Sequence, residues 1–199
     1  NAANVRFIGN TALRLSNTNN IKFRYLTFGD STGYYGVHMT GKCNNIEFYH
    51  CIIQMDVTTS NTSYAFYKPQ GGVCDGLRFV GNVIDGGYYG LNFYGQGDLI
   101  GGYNTNVIID SNVFSNACYS PFNIYYTDLT SFSYNVITAR SGGNSYMYSE
   151  TYYTNHNYTV GNRINTSNNT SLDEYNNYIG YANMINSSGR GFFANNDFK

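Results

Sequence analysis

Apolar and polar residues alternate at a period of two along most of the chain, and the alternating runs recur. One segment pairs two apolar positions, passes a polar turn and adds a further apolar stretch. Its copies are Asn20-Ile21-Lys22-Phe23, Asn45-Ile46-Glu47-Phe48, Gly76-Leu77-Arg78-Phe79 and Asn106-Val107-Ile108-Ile109. Each is followed by a short completion: Leu26-Thr27-Phe28, Cys51-Ile52-Ile53, Asn82-Val83-Ile84 and Asn112-Val113-Phe114. Weaker copies are Phe7-Ile8-Gly9-Asn10, Asn135-Val136-Ile137, Asn162-Arg163-Ile164, Asn183-Met184-Ile185 and Asn196-Asp197-Phe198.

A second segment alternates with the first and opens on a small residue or proline. It reads Ala12-Leu13-Arg14-Leu15, Gly36-Val37-His38-Met39, Ala65-Phe66-Tyr67-Lys68, Gly90-Leu91-Asn92-Phe93, Pro121-Phe122-Asn123-Ile124 and Ser145-Tyr146-Met147-Tyr148. Tyr35, Tyr64 and Tyr89 each precede the small residue. Period-two alternation predicts strands with one buried face. Two or three short strands per repeat, with no two-residue hairpin signal between them, predict stacked parallel coils rather than propeller blades. The repeat is uneven, and its length variation falls between segments, at 56–63 and 95–105.

Stacking gives the asparagines a role. Asn82, Asn112 and Asn135 hold one motif position in successive copies, with Asn10 and Asn162 in similar places. Adjacent coils lie about 4.8 Å apart, so their amides are expected to form a ladder along the axis. The [Asn/Gly]-x-x-Phe-x-x-Asn-x-[Ile/Phe] copies and their Tyr-Gly-[Val/Leu]-x-[Met/Phe] partners resemble those of right-handed parallel β-helix repeat proteins, from Val5 to Phe198. The Asn/Tyr-rich, low-charge style is similar to that of long surface β-helix proteins of Bacteroidota. The resemblance implies an all-β, right-handed parallel β-helix of about seven coils, open at both ends. It implies little about activity, because this fold hosts polysaccharide lyases, hydrolases, tailspikes and adhesin shafts. Residues 1–199 read as one domain, a segment of a longer chain flanked by further coils.

Composition narrows the function. Charged residues are 12% of the 199 and the net charge is −1, which leaves no basic footprint for nucleic acid. No apolar run is long enough to span a bilayer. Aromatic content is high, with Tyr 22 and Phe 13 but no Trp. The Asn, Gly, Tyr, Ser and Thr bias suggests an extracellular or cell-surface setting. Cys43, Cys51, Cys74 and Cys118 fit no zinc spacing and read as small buried hydrophobes, with their disulfide state open.

The search for chemistry is sparse. Lys22, Glu47 and Arg78 share an outward position and read as an ion-pair ladder. Asp30, Asp56 and Asp85 follow the first segment, and Asp75 and Asp98 sit in Gly-rich turns. Turn formation is the leading expectation there, with Ca²⁺, which needs six or more oxygens, the alternative at the first three. No other cofactor is called for. Asp173-Glu174 reads as a solvated loop, and no catalytic residue or resident metal ligand is assigned. Lys68 stands where the repeat expects an apolar residue, so a snorkelling side chain or a shifted register is expected. His50 and His156 have no partner visible in the sequence.

The outward column of the second segment reads Arg14, His38, Tyr67, Asn92, Asn123 and Met147. Aromatic rings stack on sugar faces, and Asn and Arg supply hydrogen bonds. Arg14, His38, Tyr67, Asn92, Asn123 and Tyr94 are therefore the glycan-contact candidates, for a polysaccharide or cell-surface glycan. The expected function is a structural or adhesive solenoid segment. The alternatives are a polysaccharide-acting lyase or hydrolase and a non-catalytic carbohydrate-binding module.

Overall fold

The structure, a computed structural model, describes residues 5–29, 33–58, 60–97, 102–138, 140, 147–165, 177–180 and 192–198. Asp30, Asp98, Asp173, Glu174 and the copy at 183–185 lie outside the described residues.

The strands come three to a coil. After β1 (Arg6–Phe7), the first coil is β2 (Thr11–Ser16), β3 (Ile21–Arg24) and β4 (Thr27–Phe28). The next is β5 (Tyr35–Thr40), β6 (Ile46–Tyr49) and β7 (Ile52–Gln54). Then come β8 (Tyr64–Lys68), β9 (Arg78–Val80) and β10 (Val83–Asp85), followed by β11 (Tyr89–Tyr94), β12 (Asn104–Asp110) and β13 (Val113–Ser115). In the following coil the first two strands fuse into β14 (Ser120–Ser133), with β15 (Val136–Thr138) closing it. The remaining strands are β16 (Met147–His156), β17 (Tyr158–Val160), β18 (Arg163–Asn165), β19 (Asn177–Gly180), β20 (Phe192–Ala194) and β21 (Asp197–Phe198).

Each strand pairs in parallel with its counterpart one coil away, as in Val83 with Ile52 on one side and Val113 on the other. The chain is thus an all-β parallel solenoid, without helices among the described residues, and its column of closing strands stacks eight, β1, β4, β7, β10, β13, β15, β18 and β21. The length of the 14-residue β14 reflects one of the uneven repeats: it spans both columns without the intervening loop found in the preceding coil.

Local conformation explains the repeat's wording. Asn20, Asn45, Gly76 and Asn106 open their segments with φ of 61, 54, 72 and 53°, in the left-handed region that Asn and Gly tolerate best. A second left-handed row, which includes Tyr25, His50, Gly81, Ser111, Tyr134 and Gly161, sits one residue before each ladder position. The sharp turn is therefore made by the residue preceding the ladder asparagine, and the asparagine is left free to bond along the axis.

Inward side chains fill the interior. Phe48 stacks between Phe23 at 5.0 Å and Phe79 at 5.5 Å, while Phe28 and Phe66 meet this stack edge-on. Ile53, Ile84, Phe114 and Ile137 form a parallel buried row. Burial of such side chains stabilises by roughly 1.5–3 kcal/mol each.

The buried asparagines form a continuous ladder. The Oδ1 of Asn112 accepts from the backbone N–H and Nδ2 of Asn82, both at 2.9 Å. Asn135 accepts likewise from Asn112, Asn162 from Asn135 and Asn196 from Asn162. Each Nδ2 also donates to a backbone carbonyl of the previous coil, Phe48 for Asn82 and Phe79 for Asn112. Cys51 takes the ladder position before Asn82 and donates its N–H to Asn82 Oδ1 at 2.8 Å. Asn10 is not a rung; it is exposed, and its carbonyl accepts from Tyr34 and Tyr35.

A second ladder occupies the turn between the first and second strands of each coil. Thr18 N–H donates to Cys43 Sγ, Cys43 N–H to Cys74 Sγ, and Cys74 N–H to Asn104 Oδ1, at 3.4, 3.2 and 3.0 Å. Sulfur here does the work of an amide oxygen. All four cysteines are buried and reduced.

Candidate functional site

The outward column of the second segment is in register across five coils. Arg14 pairs with His38, His38 with Tyr67, Tyr67 with Asn92 and Asn92 with Asn123. The next position is Glu150, not Met147, which pairs instead with Asn177. The reason is that Thr151, a buried polar residue, sits opposite inward Ile124. With threonine on the inward face, the apolar alternation that would mark the register is lost.

Tyrosines flank this column. Tyr35, Tyr64 and Tyr89 stack along the axis with ring centroids 5.7 and 4.8 Å apart. Tyr67 stacks on Tyr64 at 4.3 Å, and His38 on Tyr35 at 4.5 Å. On the far side Tyr94 stacks on Tyr125 at 4.4 Å. Asn92 is shorter than the rings around it, so the surface dips above it. The result is a groove of about 280 Å³ lined by Tyr64, Tyr67, Gln70, Tyr89, Asn92 and Tyr94. Gln70 holds the rim by donating from Nε2 to the carbonyl of Gln96 at 2.6 Å.

Asn92 is 4% exposed, and its Oδ1 is buried without a hydrogen-bond partner. One coil on, Asn123 occupies the same position and its Oδ1 accepts from Ser120 Oγ at 2.8 Å. The residue equivalent to Ser120 beside Asn92 is Tyr89, whose ring cannot repeat that short bond. A buried acceptor left unpaired costs about 1–3 kcal/mol.

The groove lining holds no charged side chain, and Arg14 stands two positions away along the column, beyond His38. Burial pushes the hydroxyls of Tyr64, Tyr67 and Tyr89 upward, that of Tyr89 to about 12, so they stay protonated and able to donate. Burial and the neighbouring Arg14 push His38 down from 6.5, which keeps it neutral near pH 7.

Of the six contact candidates, Tyr67, Asn92 and Tyr94 line the groove, Arg14 and His38 continue the column on one side, and Asn123 lies next to Asn92 on the other. Tyr64 and Gln70 belong to the groove and were not singled out by the sequence. The recurrence of Tyr35, Tyr64 and Tyr89 before the small residue was the signal for Tyr64; Gln70 lies in a turn and carried none.

The remaining polar candidates serve the coils. Asp75 Oδ1 accepts from Thr105 Oγ1 and Asn106 Nδ2, both at 2.7 Å, and these two bonds hold its carboxyl below its usual range. Asp85 accepts from Ser115 and Asn116 in the same way, and Asp56 from the N–H of Val57. Among the described residues no group of three or more His, Cys, Asp or Glu side chains converges to hold a metal ion. Glu47 pairs with Lys22 and with Arg24, each at 3.4 Å, and Arg78 lies next in register. His156 is buried, with Nδ1 at 3.0 Å from Thr159 Oγ1 and Nε2 at 3.1 Å from Thr151 Oγ1. Lys68 neither snorkels nor shifts the register: it is fully buried opposite Phe93, and Nζ donates to the carbonyls of Gly72 and Tyr94 at 2.8 and 2.6 Å.

The fold and this face define a parallel β-solenoid carrying a tyrosine-lined groove. No family model matches the chain, and no curated protein matches it. Among the described residues no helix is long and apolar enough to cross a membrane.

Proposed function

We propose that this chain is a structural and adhesive solenoid segment of an extracellular or cell-surface protein, and that its tyrosine face holds a saccharide. The observation that carries the reading is the groove over Asn92, whose unpaired Oδ1 lies among the rings of Tyr64, Tyr67, Tyr89 and Tyr94. Aromatic rings offer apolar faces to the C–H faces of a sugar, while the hydroxyls, Gln70 and Asn92 supply hydrogen bonds. A neutral ligand suits a face on which the tyrosines stay protonated and His38 stays uncharged. The shaft role rests on the two ladders and the additive stacking of coils, each of which contacts mainly its neighbours. Polysaccharide or cell-surface glycan is thus the partner, with further coils of the same chain as structural neighbours.

Titration of neutral oligosaccharides, followed by perturbation of tyrosine ring resonances, tests this. Saturable shifts at Tyr67, Tyr89 and Tyr94 are expected, with about a tenfold loss of affinity in Tyr67→Ala, the equivalent of one aromatic contact of about 1–1.5 kcal/mol. Unchanged tyrosine resonances across a broad panel of neutral glycans would remove the basis for the reading.

A further inference from the structure

Two thiols and a buried ammonium come together where the second ladder crosses from one coil to the next. Cys43 and Cys74 occupy equivalent places on adjacent coils, as shown by the neighbouring bond from Asp75 N–H to Asn44 Oδ1 at 3.0 Å and by the 3.2 Å bond from Cys43 N–H to Cys74 Sγ. Their exposures are 0% and 1%. Stacked coils set equivalent Cα atoms about 4.8 Å apart, inside the range of about 4.4–6.8 Å that a disulfide spans. Lys68 is buried beside them, anchored through Nζ to Gly72 and Tyr94.

The polar environment separates the two sulfurs. Thr18 N–H donates to Cys43 Sγ, while the Cys43 thiol faces the Thr40 carbonyl at 3.5 Å and the Cys74 thiol the Gly41 carbonyl at 3.8 Å; the contact between the two side chains lowers Cys43 and raises Cys74. The Lys68 charge favours thiolate at both, and burial in turn pushes Lys68 itself downward. Cys51 and Cys118 lie in other turns. Cys51 Sγ faces the carbonyls of Phe23 and Tyr49, and burial raises its thiol. The cover over the Cys43–Cys74 pair is thin, because Lys42 and Asp75, next to them in sequence, are exposed.

We propose that Cys43 and Cys74 are a dithiol–disulfide pair whose oxidation staples one coil to the next beside the Lys68 ammonium. The oxidant is a low-molecular-weight disulfide. The Cys43 thiolate attacks one of its sulfurs, forming a mixed disulfide and expelling one thiolate. Cys74 then loses its proton to solvent and attacks the Cys43 sulfur, and the second small thiolate leaves. The protein gives up two electrons and two protons, and the small disulfide becomes two thiols. The closed bond cross-links the coils and restricts the unfolded chain.

The test is incubation of the folded chain with oxidised glutathione, alkylation of remaining thiols and peptide mapping without reductant. The expected product is a Cys43–Cys74 cross-linked peptide lighter by two hydrogens, a melting temperature raised by several degrees and reversal of both by dithiothreitol. Cys43→Ser and Cys74→Ser should each abolish the cross-link and leave the other three thiols unpaired. Lys68→Gln should slow the first exchange and move its rate profile to higher pH. Random pairing among the four cysteines, or persistence of both thiols while free glutathione disulfide remains, would overturn the proposal. A pH profile unchanged in Lys68→Gln would overturn the part assigned to Lys68. Should that variant fail to fold, mapping of the unsubstituted chain still decides the pairing.

Discussion

Replacing Asn112 by alanine removes four hydrogen bonds from the centre of the asparagine ladder. Two are accepted by Oδ1, from the N–H and Nδ2 of Asn82, and two are donated by Nδ2, to the carbonyl of Phe79 and to Asn135 Oδ1. The losses are unequal. Asn82 Nδ2 keeps its bond to Phe48, and Asn135 Oδ1 keeps the backbone N–H of Asn112. The group left in real deficit is the Asn82 N–H, in a site where Asn112 itself is 0% exposed, while the Phe79 carbonyl keeps its place in the parallel ladder with β12 and loses only its second bond. At about 1–3 kcal/mol for the one buried group left unpaired and about 1 kcal/mol for the further bond lost at Phe79, the variant should lose about 2–4 kcal/mol. That is a large part of the roughly 5–15 kcal/mol that holds an ordinary domain folded. Solenoids often unfold in parts, so urea denaturation should be accompanied by native-state hydrogen exchange read at Asn82 and its neighbours. The control is Lys22→Ala, which breaks an exposed pair worth less than about 1 kcal/mol. If Asn112→Ala stays within about 0.5 kcal/mol of the parent, and exchange at Asn82 is unchanged, the ladder does not hold the coils together and the argument fails.

Acid should weaken the fold through His156, whose burial lowers it from 6.5 to about 4. A folded value below the unfolded one means that the unfolded chain binds the proton more readily. The stabilising contribution is therefore complete above about 6.5 and is lost as pH falls toward 4, at most about 3 kcal/mol. Melting temperatures measured from pH 7 to pH 4 should show this slope, and His156→Gln should flatten it; an equal slope in both would assign the effect elsewhere. Gly86 has φ of +77°, and a Cβ there would lie 2.0 Å from the Met55 carbonyl oxygen. Gly86→Ala should therefore cost clearly more than the roughly 1–2 kcal/mol of left-handed strain alone. Gly71→Ala, with φ of +116° and nothing within 4 Å of the added carbon, should cost only conformational strain. Equal melting temperatures for the two variants would show that the close approach at Gly86 is relieved without penalty.

Much of the fold was legible in the repeat. Period-two alternation marked most strands, because inward and outward positions face such different surroundings. The recurrence of Asn82, Asn112 and Asn135 at one motif position pointed to stacking, because a parallel solenoid brings equivalent residues within hydrogen-bond reach. The reading failed where chemistry departs from the rule that inward means apolar. Thr151 faces inward and concealed the register that sets Glu150, rather than Met147, beside Asn123. Lys68 points inward too, and only the carbonyls of Gly72 and Tyr94, distant in sequence from one another, make that tolerable. The sulfur rungs Cys43 and Cys74 were hidden because no periodic rule equates cysteine with asparagine.

The sequence by itself determined the solenoid class, the alternating faces and the outward column from Arg14 to Asn123. These depend on local periodicity and on repetition, which a linear chain displays directly. Only the tertiary structure decided that Asn92 lacks the donor that Ser120 supplies to Asn123, that His156 lies between two threonines, and that a buried ammonium sits beside two thiols. Each of these depends on which donor stands one coil away and how deeply the group is buried. Coil-to-coil distance and burial are set by the whole stack, not by the neighbours along the chain.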